Sequence, residues 1–215
     1  MAAKIKMTRP ELKKQRDVLS RYKRYLPMLK MKQQLLQAAV LAATRRLHEA
    51  ETAVRRQEHK IIEYQAILTD PPGIAMTYLT KPLEVETSWT NIAGVKIPRM
   101  EMVIFPKALY SLFSTPPWVD SAVDDLRKLN RRRERAALIR IEINLIKKEL
   151  TKIIQRINLF EKVMIPKAKE AIRTISIYLA DEQTAGVGRA KIAKAKQREK
   201  AAKQLSAMSL EDSLE

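Results

Sequence analysis

The sequence predicts an all-α protein, a long antiparallel two-helix coiled coil with a small central β-hairpin or loop region. Three observations lead to this fold class. Two long stretches carry apolar residues at seven-residue steps, a segment rich in proline separates them, and the 215 residues include only 5% aromatics and four glycines. Steps of seven keep an apolar stripe on one side of a helix, and two such stripes in one chain can pack against each other.

The first helix is predicted by a ladder of seven-residue steps that begins at Leu12. Its positions are Leu12, Leu19, Leu26, Gln33, Val40, Leu47, Val54, Ile61 and Leu68. The positions three residues further on are mostly apolar or aromatic as well, which completes the stripe. A helix over 12–68 would be roughly 85 Å long. We expect a kink at Pro27, because proline has no N–H group for the helical hydrogen bond.

The second helix is predicted by a matching ladder in the other half of the chain. Its positions are Leu129, Ala136, Ile143, Leu150, Ile157, Met164, Ala171 and Tyr178, with companions at Ile139, Ile146, Ile153 and Phe160. After Phe160 the apolar set moves to Ala168, Ile172, Ile175 and Leu179. Such a change of phase predicts a local change in the supercoil.

Breaker residues separate the two helices. Asp70, Pro71, Pro72 and Gly73 are expected to end the first helix, and Ser114, Thr115, Pro116 and Pro117 to begin the second, followed by the helix-start acids Asp120, Asp124 and Asp125. β-Branched residues within 83–105 flank Asn91, Ala93 and Gly94, which predicts one small hairpin. The predicted domains are therefore a coiled-coil helix over 1–70, a hairpin or loop region over 71–117, a second coiled-coil helix over 118–183, and a basic extension and tail over 184–215.

The charge is strongly positive and is concentrated at both ends. The formal net charge is +18, with eleven Lys or Arg in residues 1–32 and seven in residues 186–204. This balance favours phosphate polymers, anionic lipid or an acidic protein surface as partners. The absence of cysteine excludes disulfides and thiolate metal sites. Without an apolar run long enough to span a bilayer or a signal-peptide core, we expect a soluble protein with access to the cytosol.

The candidate binding residues have mostly structural interpretations. His48 and His59 are eleven residues apart without other ligands at metal-binding spacing, so solvated helix positions are expected. The basic run Arg131–Arg135 is interpreted as solvent-facing, with an anion site as the alternative. Gly186 and Gly188 do not form a phosphate loop, but they can break the helix. No catalytic group, cofactor or metal site is predicted.

Four further residues are ambiguous. Asn158 and Glu161 could either fix the coiled-coil register from a buried position or face outwards. Trp89 and Trp118 flank the central segment and are expected to form its small core, with contact between Trp89 and a partner as the alternative.

Four segments in order resemble the D subunit of the V-type and archaeal-type ATPases and ATP synthases, especially its bacterial branch. They are TRPELKKQRDVLSRYKRYLPMLKMKQQLL at 8–36, NIAGVKIP at 91–98, YSLFSTPPWVD at 110–120 and RINLFEKVMIPKAKEAIRTI at 156–175. They occur in this order within residues 8–196. The family usually has an ordinary helix former at Pro27, and the tail from Ser209 to Glu215 matches no family pattern.

The resemblance implies a non-catalytic rotor subunit. Its terminal arms would be inserted into the head, which consists of catalytic A and non-catalytic B subunits. The small F subunit of the stalk would bind along the lower coiled coil, and the base would dock on the C (or d) subunit, which caps the membrane ring. Rotation would couple ATP hydrolysis or synthesis to proton or sodium translocation, on the cytoplasmic side of the membrane and peripheral to it.

Within that interpretation, Lys13, Lys14, Arg16, Lys194 and Lys196 are candidate contacts with the head. The predicted coiled-coil seam consists of Leu19, Leu26, Leu47, Ile61, Ile143, Leu150, Ile157 and Met164.

Two other functions are compatible with the same fold. A basic coiled-coil protein that binds nucleic acid would explain the charge and would show steep salt dependence, although the basic helices lack interleaved aromatic residues for base stacking. A prefoldin-like chaperone also has a helix, hairpin, helix order. Neither alternative accounts for the four ordered segments.

Overall fold

The computed structural model describes residues 6–64, 66, 73–111 and 115–211, with side chains as far as residue 201. The chain forms helix α1 (Arg9–Ile62), the short helix α2 (Met76–Thr80), strands β1 (Glu84–Ile92) and β2 (Val95–Ile104), and helix α3 (Trp118–Leu159). A π-helical turn over Phe160–Met164 follows, and helix α4 extends over Ile165–Glu211. Long helices with one small hairpin confirm the predicted fold class.

The chain divides into two compact units. Unit 1 comprises Met1–Pro27 and Asn158–Glu215, and unit 2 comprises Met28–Ile157. The predicted ends of the domains at 70, 117 and 183 stay predictions. The helix-ending residues Asp70, Pro71 and Pro72 and the helix-starting Ser114 lie outside the described residues, as does Leu68 of the first ladder.

In unit 2, α1 and α3 pack antiparallel. Cross-helix contacts pair Arg46 with Glu142 and, further along α1, Glu58 with Arg133, which lies earlier in α3. Ala43, Ile139 and Ile143 form a buried cluster, and Leu47 and Ala50 pack against it. The buried companions Ile146 and Ile153 extend this core along α3. Burial of each such side chain favours folding by about 1.5–3 kcal/mol before entropy is counted.

In unit 1, the beginning of α1 lies against α4 and the π-helical turn. The rings of Tyr22 and Phe160 are 5.0 Å apart between centroids. Closer to the chain ends, Leu12 and Leu179 line the same groove. Numbers that rise along one helix therefore fall along the other, so this pair is antiparallel as well.

The π-helical turn explains the predicted change of phase. The buried companion positions follow steps of seven as far as Phe160, but the next ones are Ala168 and Ile175. A π-helical turn accommodates one extra residue, which converts one step of seven into a step of eight. The ladder prediction is therefore wrong at Tyr178, which is 49% exposed, because Leu179 takes the half-buried position.

The hairpin forms within the predicted range. β1 and β2 pair antiparallel with an irregularity at Glu86/Thr87, and the turn is Ala93–Gly94. Both turn residues have positive φ, 50° and 84°, which a two-residue turn of this kind requires and which favours glycine at position 94. The Asn91 side chain accepts a hydrogen bond of 2.8 Å from the Gly94 N–H. A Cβ atom at Gly94 would lie 3.4 Å from the Lys32 Nζ, so the turn reaches α1.

Several helix-breaking residues do not end a helix. Pro27 lies inside α1, and whether it bends the helix stays a prediction. Gly186 and Gly188, which could have broken the helix, lie inside α4 and do not break it. The helical preference lost at two glycines is small compared with the propensity of the surrounding Ala-, Lys- and Gln-rich sequence.

Two tryptophans were expected in the core of the central segment, and for one of them this prediction is wrong. Trp118 is half-buried at the first position of α3, but Trp89 on β1 is 65% exposed. The hairpin instead buries Ile97 and Val103 of β2. Side chains of neighbouring strand residues point to opposite faces, so a tryptophan in this strand can lie on the outer face.

Candidate functional site

The predicted head contacts all lie on exposed helix surface in unit 1. Lys13, Lys14 and Arg16 are exposed on α1, and Lys194 and Lys196 are exposed on α4. Among residues 180–201 of α4, every position is exposed apart from the partly covered Gly186. This exposed basic stretch of α4 can offer much of its surface to a partner.

The predicted seam residues all lie away from full solvent exposure. Ile143 and Ile157 are each 6% exposed. The other six are half-buried, namely Leu19, Leu26, Leu47, Ile61, Leu150 and Met164. Partial burial is the geometry expected of a two-helix pair, in which the flanks of the seam stay open to solvent.

Buried polar pairs across the helices of unit 2 are a feature that sequence reasoning missed. Arg46 donates a 2.7 Å hydrogen bond to Glu142, whose side chain is 3% exposed. Arg132 donates to the backbone oxygen of Ala53 at 3.0 Å and to Gln57 at 2.9 Å. A signal for the first pair was present, because Arg46 and Glu142 each directly precede a ladder position, where charged residues pair across coiled coils.

Asp125 is the centre of a second polar cluster in unit 2. Its carboxylate accepts hydrogen bonds from Lys60 at 3.3 Å and Tyr64 at 3.0 Å, and Lys128 lies 3.6 Å away. The sequence predicted that Asp125 interacts with the helix start, but its side chain is turned towards α1. Asp120 lies in the first turn of α3, as predicted, and accepts a hydrogen bond from Tyr110.

These contacts change the acidity of both hydrogen-bonding groups. Burial alone would raise the pKa of Asp125, but hydrogen bonds from Lys60 and Tyr64 and the charges of Lys60 and Lys128 outweigh it and hold the pKa below its usual value. Burial and the hydrogen bond to Asp125 raise the pKa of Tyr64 to about 12. Asp125 therefore stays ionised, and Tyr64 stays protonated, across the physiological range.

Arg131, Arg133 and Arg135 of the basic run are exposed, as predicted, but arginines of this run also make contacts within the chain. Arg132 makes the hydrogen bonds to α1 already described, and Arg133 forms an ion pair of 2.7 Å with Glu58. Arg131 lies over the Phe105 ring, 5.7 Å from its centroid. Three of these arginines are therefore occupied in contacts within the chain.

Two groups of exposed apolar side chains in unit 2 are candidates for contact with partners. One is the base cluster, where Tyr78, Leu83 and Leu109 are 63%, 61% and 87% exposed around a groove of about 510 Å³. The other is the outer stripe of α1, where Met28, Met31, Leu35, Ala38 and Ala42 are exposed at heptad spacing. Apolar patches of this kind commonly mark protein interfaces.

The remaining candidates, two histidines and two polar residues, lie at exposed helical positions. His48 and His59 are exposed on α1, and His59 Nδ1 lies 3.6 Å from Glu63 Oε1. Asn158 and Glu161 are exposed, which favours the outward-facing alternative. Among the residues with described side chains, no group of three His, Asp or Glu could hold a metal ion. In the same part of the chain, none of the helices is both long and apolar enough to cross a membrane.

Comparisons with known proteins identify the family. The model of the ATP synthase D subunit family matches residues 11–195. The chain is similar to the V-type ATP synthase D subunit of Borreliella burgdorferi, with 34% identity over 89% of this chain and 94% of the relative. It is also similar to the proteins of the same name from Chlamydia caviae and Chlamydia muridarum, each 32% identical over 91% of this chain and 95% or 97% of the relative.

The family model spans both helical arms and the hairpin between them, in the order in which the structure has them. The chain therefore belongs to the family of ATP synthase D subunits.

Proposed function

We propose that this protein is the central-stalk rotor subunit of a V-type rotary ATPase or ATP synthase. It would couple ATP hydrolysis or synthesis in the catalytic head to proton or sodium translocation, without itself catalysing a reaction. The family match over residues 11–195 carries this proposal. The antiparallel helix pairs support it, because a rotor has to transmit torque along a stiff element.

Unit 1 is proposed to enter the head formed by the A and B subunits. Its support is the exposure of the basic side chains on both arms, including Lys13 and Lys194. Exposed ion pairs contribute only about 0–1 kcal/mol each. Many weak charge contacts would hold the arms in the head without fixing one orientation.

Unit 2 is proposed to bind the stalk and membrane-side partners. The heptad spacing of the outer stripe of α1 fits a third helix, and the F subunit is the proposed source of that helix. The base cluster would dock on the C (or d) subunit, which caps the membrane ring. The complex would thus attach this protein to the cytoplasmic side of the membrane peripherally.

Reconstitution of the whole complex tests the head contacts. The test variant changes Lys13, Lys14, Arg16, Lys194 and Lys196 to Gln. A matched control changes five exposed basic residues of unit 2 to Gln, namely Arg56, Lys96, Arg99, Lys147 and Lys148. We expect the unit 1 variant alone to lower ATP-driven ion transport. Coupling equal to the wild type would remove these charges from the mechanism.

Affinity purification of the full chain tests the function itself. The expected result is co-purification with nucleotide-binding subunits in a membrane-attached complex. Recovery with nucleic acid, or with unfolded client proteins and without those subunits, would instead support one of the two alternative functions.

A further inference from the structure

Arg127 of α3 joins two separate backbone segments of unit 2. Its Nε donates a 2.9 Å hydrogen bond to the backbone oxygen of Leu79, and its Nη2 donates one of 2.6 Å to the backbone oxygen of Pro106. The guanidinium also lies over the Phe105 ring, 5.6 Å from its centroid. One side chain therefore holds both the end of α2 and the chain just after β2.

Two neighbours on α3 reinforce these contacts. Asn130 donates a 2.7 Å hydrogen bond to the backbone oxygen of Thr80. The guanidinium of Arg131 also lies over the Phe105 ring. Leu79 and Thr80 are 8% and 6% exposed. Water therefore has little access to this contact.

The bound oxygens are groups that need a donor. The last carbonyl groups of a helix have no partner within it, and α2 is only five residues long. Arginine suits this position because its planar fork directs several N–H groups to separate acceptors, whereas a lysine ammonium is a single point of charge. Cation–π contact with Phe105 fixes the plane of the fork.

The held segments lie next to the exposed base cluster. Leu79 follows Tyr78 directly, and Pro106 lies three residues before Leu109. Any force applied to the base cluster therefore reaches the oxygens held by Arg127 within a few residues.

We propose that Arg127 is a positioning residue that clamps α2 and the base of the hairpin to α3, so that torque passes from the shaft to the base cluster. The torque role rests on the proposed function, but the clamp itself does not. Asn130 supports the clamp from one side. Arg131 adds a contact with Phe105 without a hydrogen bond to either segment.

Hydrogen–deuterium exchange on the full chain tests the clamp. Arg127→Met removes the hydrogen bonds but retains an unbranched side chain similar to the aliphatic part of arginine. We expect exchange to accelerate about tenfold or more at backbone amides near Leu79 and Pro106, since hydrogen bonds to charged groups are among the stronger ones. Exchange in α1 opposite α3 should change little.

Arg133→Met is the matched control, because its ion pair joins α3 to Glu58 and not to the hairpin. Unchanged exchange in the Arg127 variant would overturn the clamp.

The reconstituted complex tests the torque role. With Arg127→Met we expect ATP hydrolysis to continue while ions transported per ATP fall, and we expect Arg127→Lys to recover only part of the loss. Arg133→Met should retain wild-type coupling. If exchange accelerates but coupling is unchanged, torque does not pass through Arg127. If the wild-type chain does not assemble with head subunits at all, the proposed function fails, while the exchange result still decides the clamp.

Discussion

Units 1 and 2 contain the same two-helix motif but stabilise it differently. In unit 2, polar cross-helix contacts centred on Glu142, Gln57 and Asp125 add to the apolar core, and the hairpin has buried residues of its own. In unit 1, the core residues are mostly small or lie on one helix, as with Ala168, Ala171 and Ile175. The buried residues of α1 all belong to unit 2.

This difference indicates how the two units meet their surroundings. A helix pair with a thin core and a basic exterior gains more from being enclosed by a partner. A pair with cross-helix contacts and a clamped hairpin has more of its stability built into the chain. The following experiments test that contrast, beginning with the largest expected effect.

Ile146→Ala is expected to have the largest effect. Ile146 is fully buried in unit 2, and removing such a side chain costs about 3–4 kcal/mol through lost burial and the cavity that remains. Ile175→Ala is the matched change in unit 1, where we expect a smaller loss because the thinner pair can collapse around the cavity. Local opening free energies from hydrogen exchange in each unit provide the measurement. Equal losses would contradict the contrast between the units.

Arg46→Ala is expected to destabilise unit 2 by about 2–3 kcal/mol, because it leaves the buried Glu142 carboxylate without its partner. Arg45→Ala changes an exposed arginine next to it and serves as the control. Exchanging the charges, with Arg46→Glu and Glu142→Arg together, should recover part of the loss. Denaturant unfolding monitored by circular dichroism would show the order of the variants, and equal midpoints for Arg46→Ala and Arg45→Ala would refute the pair's role.

Acidification should weaken unit 2 through Asp125. The pKa of Asp125 is lower in the folded protein than in the unfolded chain. Its ionised form therefore adds to the free energy of unfolding in full above about pH 4, and this stabilisation is lost as the pH falls through the folded pKa. Asp125→Asn should be less stable at neutral pH and should lose less on acidification. Thermal midpoints between pH 2 and 7 test this, and parallel curves for the two proteins would count against it.

Raising the pH should also destabilise unit 2, in this case because Tyr64 loses its proton. The pKa of Tyr64 is raised to about 12 in the folded protein. Its protonated form therefore adds to the free energy of unfolding below about pH 10, and this stabilisation is lost as the pH rises towards 12. Tyr64→Phe should remove this part of the alkaline loss. Exchange near residues 60–64 between pH 9 and 12 would measure it, and the same alkaline loss in Tyr64→Phe would exclude Tyr64 as its source.

The smallest effect is expected in the exposed part of α4. Gly186→Ala and Gly188→Ala should each stabilise the helix by about 0.5–1 kcal/mol, because alanine restricts the unfolded chain and nothing lies within 4 Å of either added Cβ. Helical content by circular dichroism should rise slightly. A fall would mean that one of these glycines is required for a bend.

The sequence alone determined the long helices and the hairpin, and it predicted which positions form the apolar seam. Heptad spacing depends only on helix geometry, so the seam positions could be read directly, and Gly94 marked the turn because few residues adopt positive φ. It also located the change of phase after Phe160. The basic arms were evident from residue counts, and their exposure on the helices agrees with that expectation.

Only the tertiary structure decided how polar side chains are used. Asp125 was expected to serve its own helix and instead accepts hydrogen bonds from Lys60 of α1 and from Tyr64 just after it, while Arg127 was not singled out at all. Trp89 was expected in the core and lies outside it. These outcomes depend on which groups from distant parts of the chain come within about 3 Å of one another. Local spacing fixes which face of a helix is apolar, but the partners of a charged or aromatic side chain are set by the packing of whole elements.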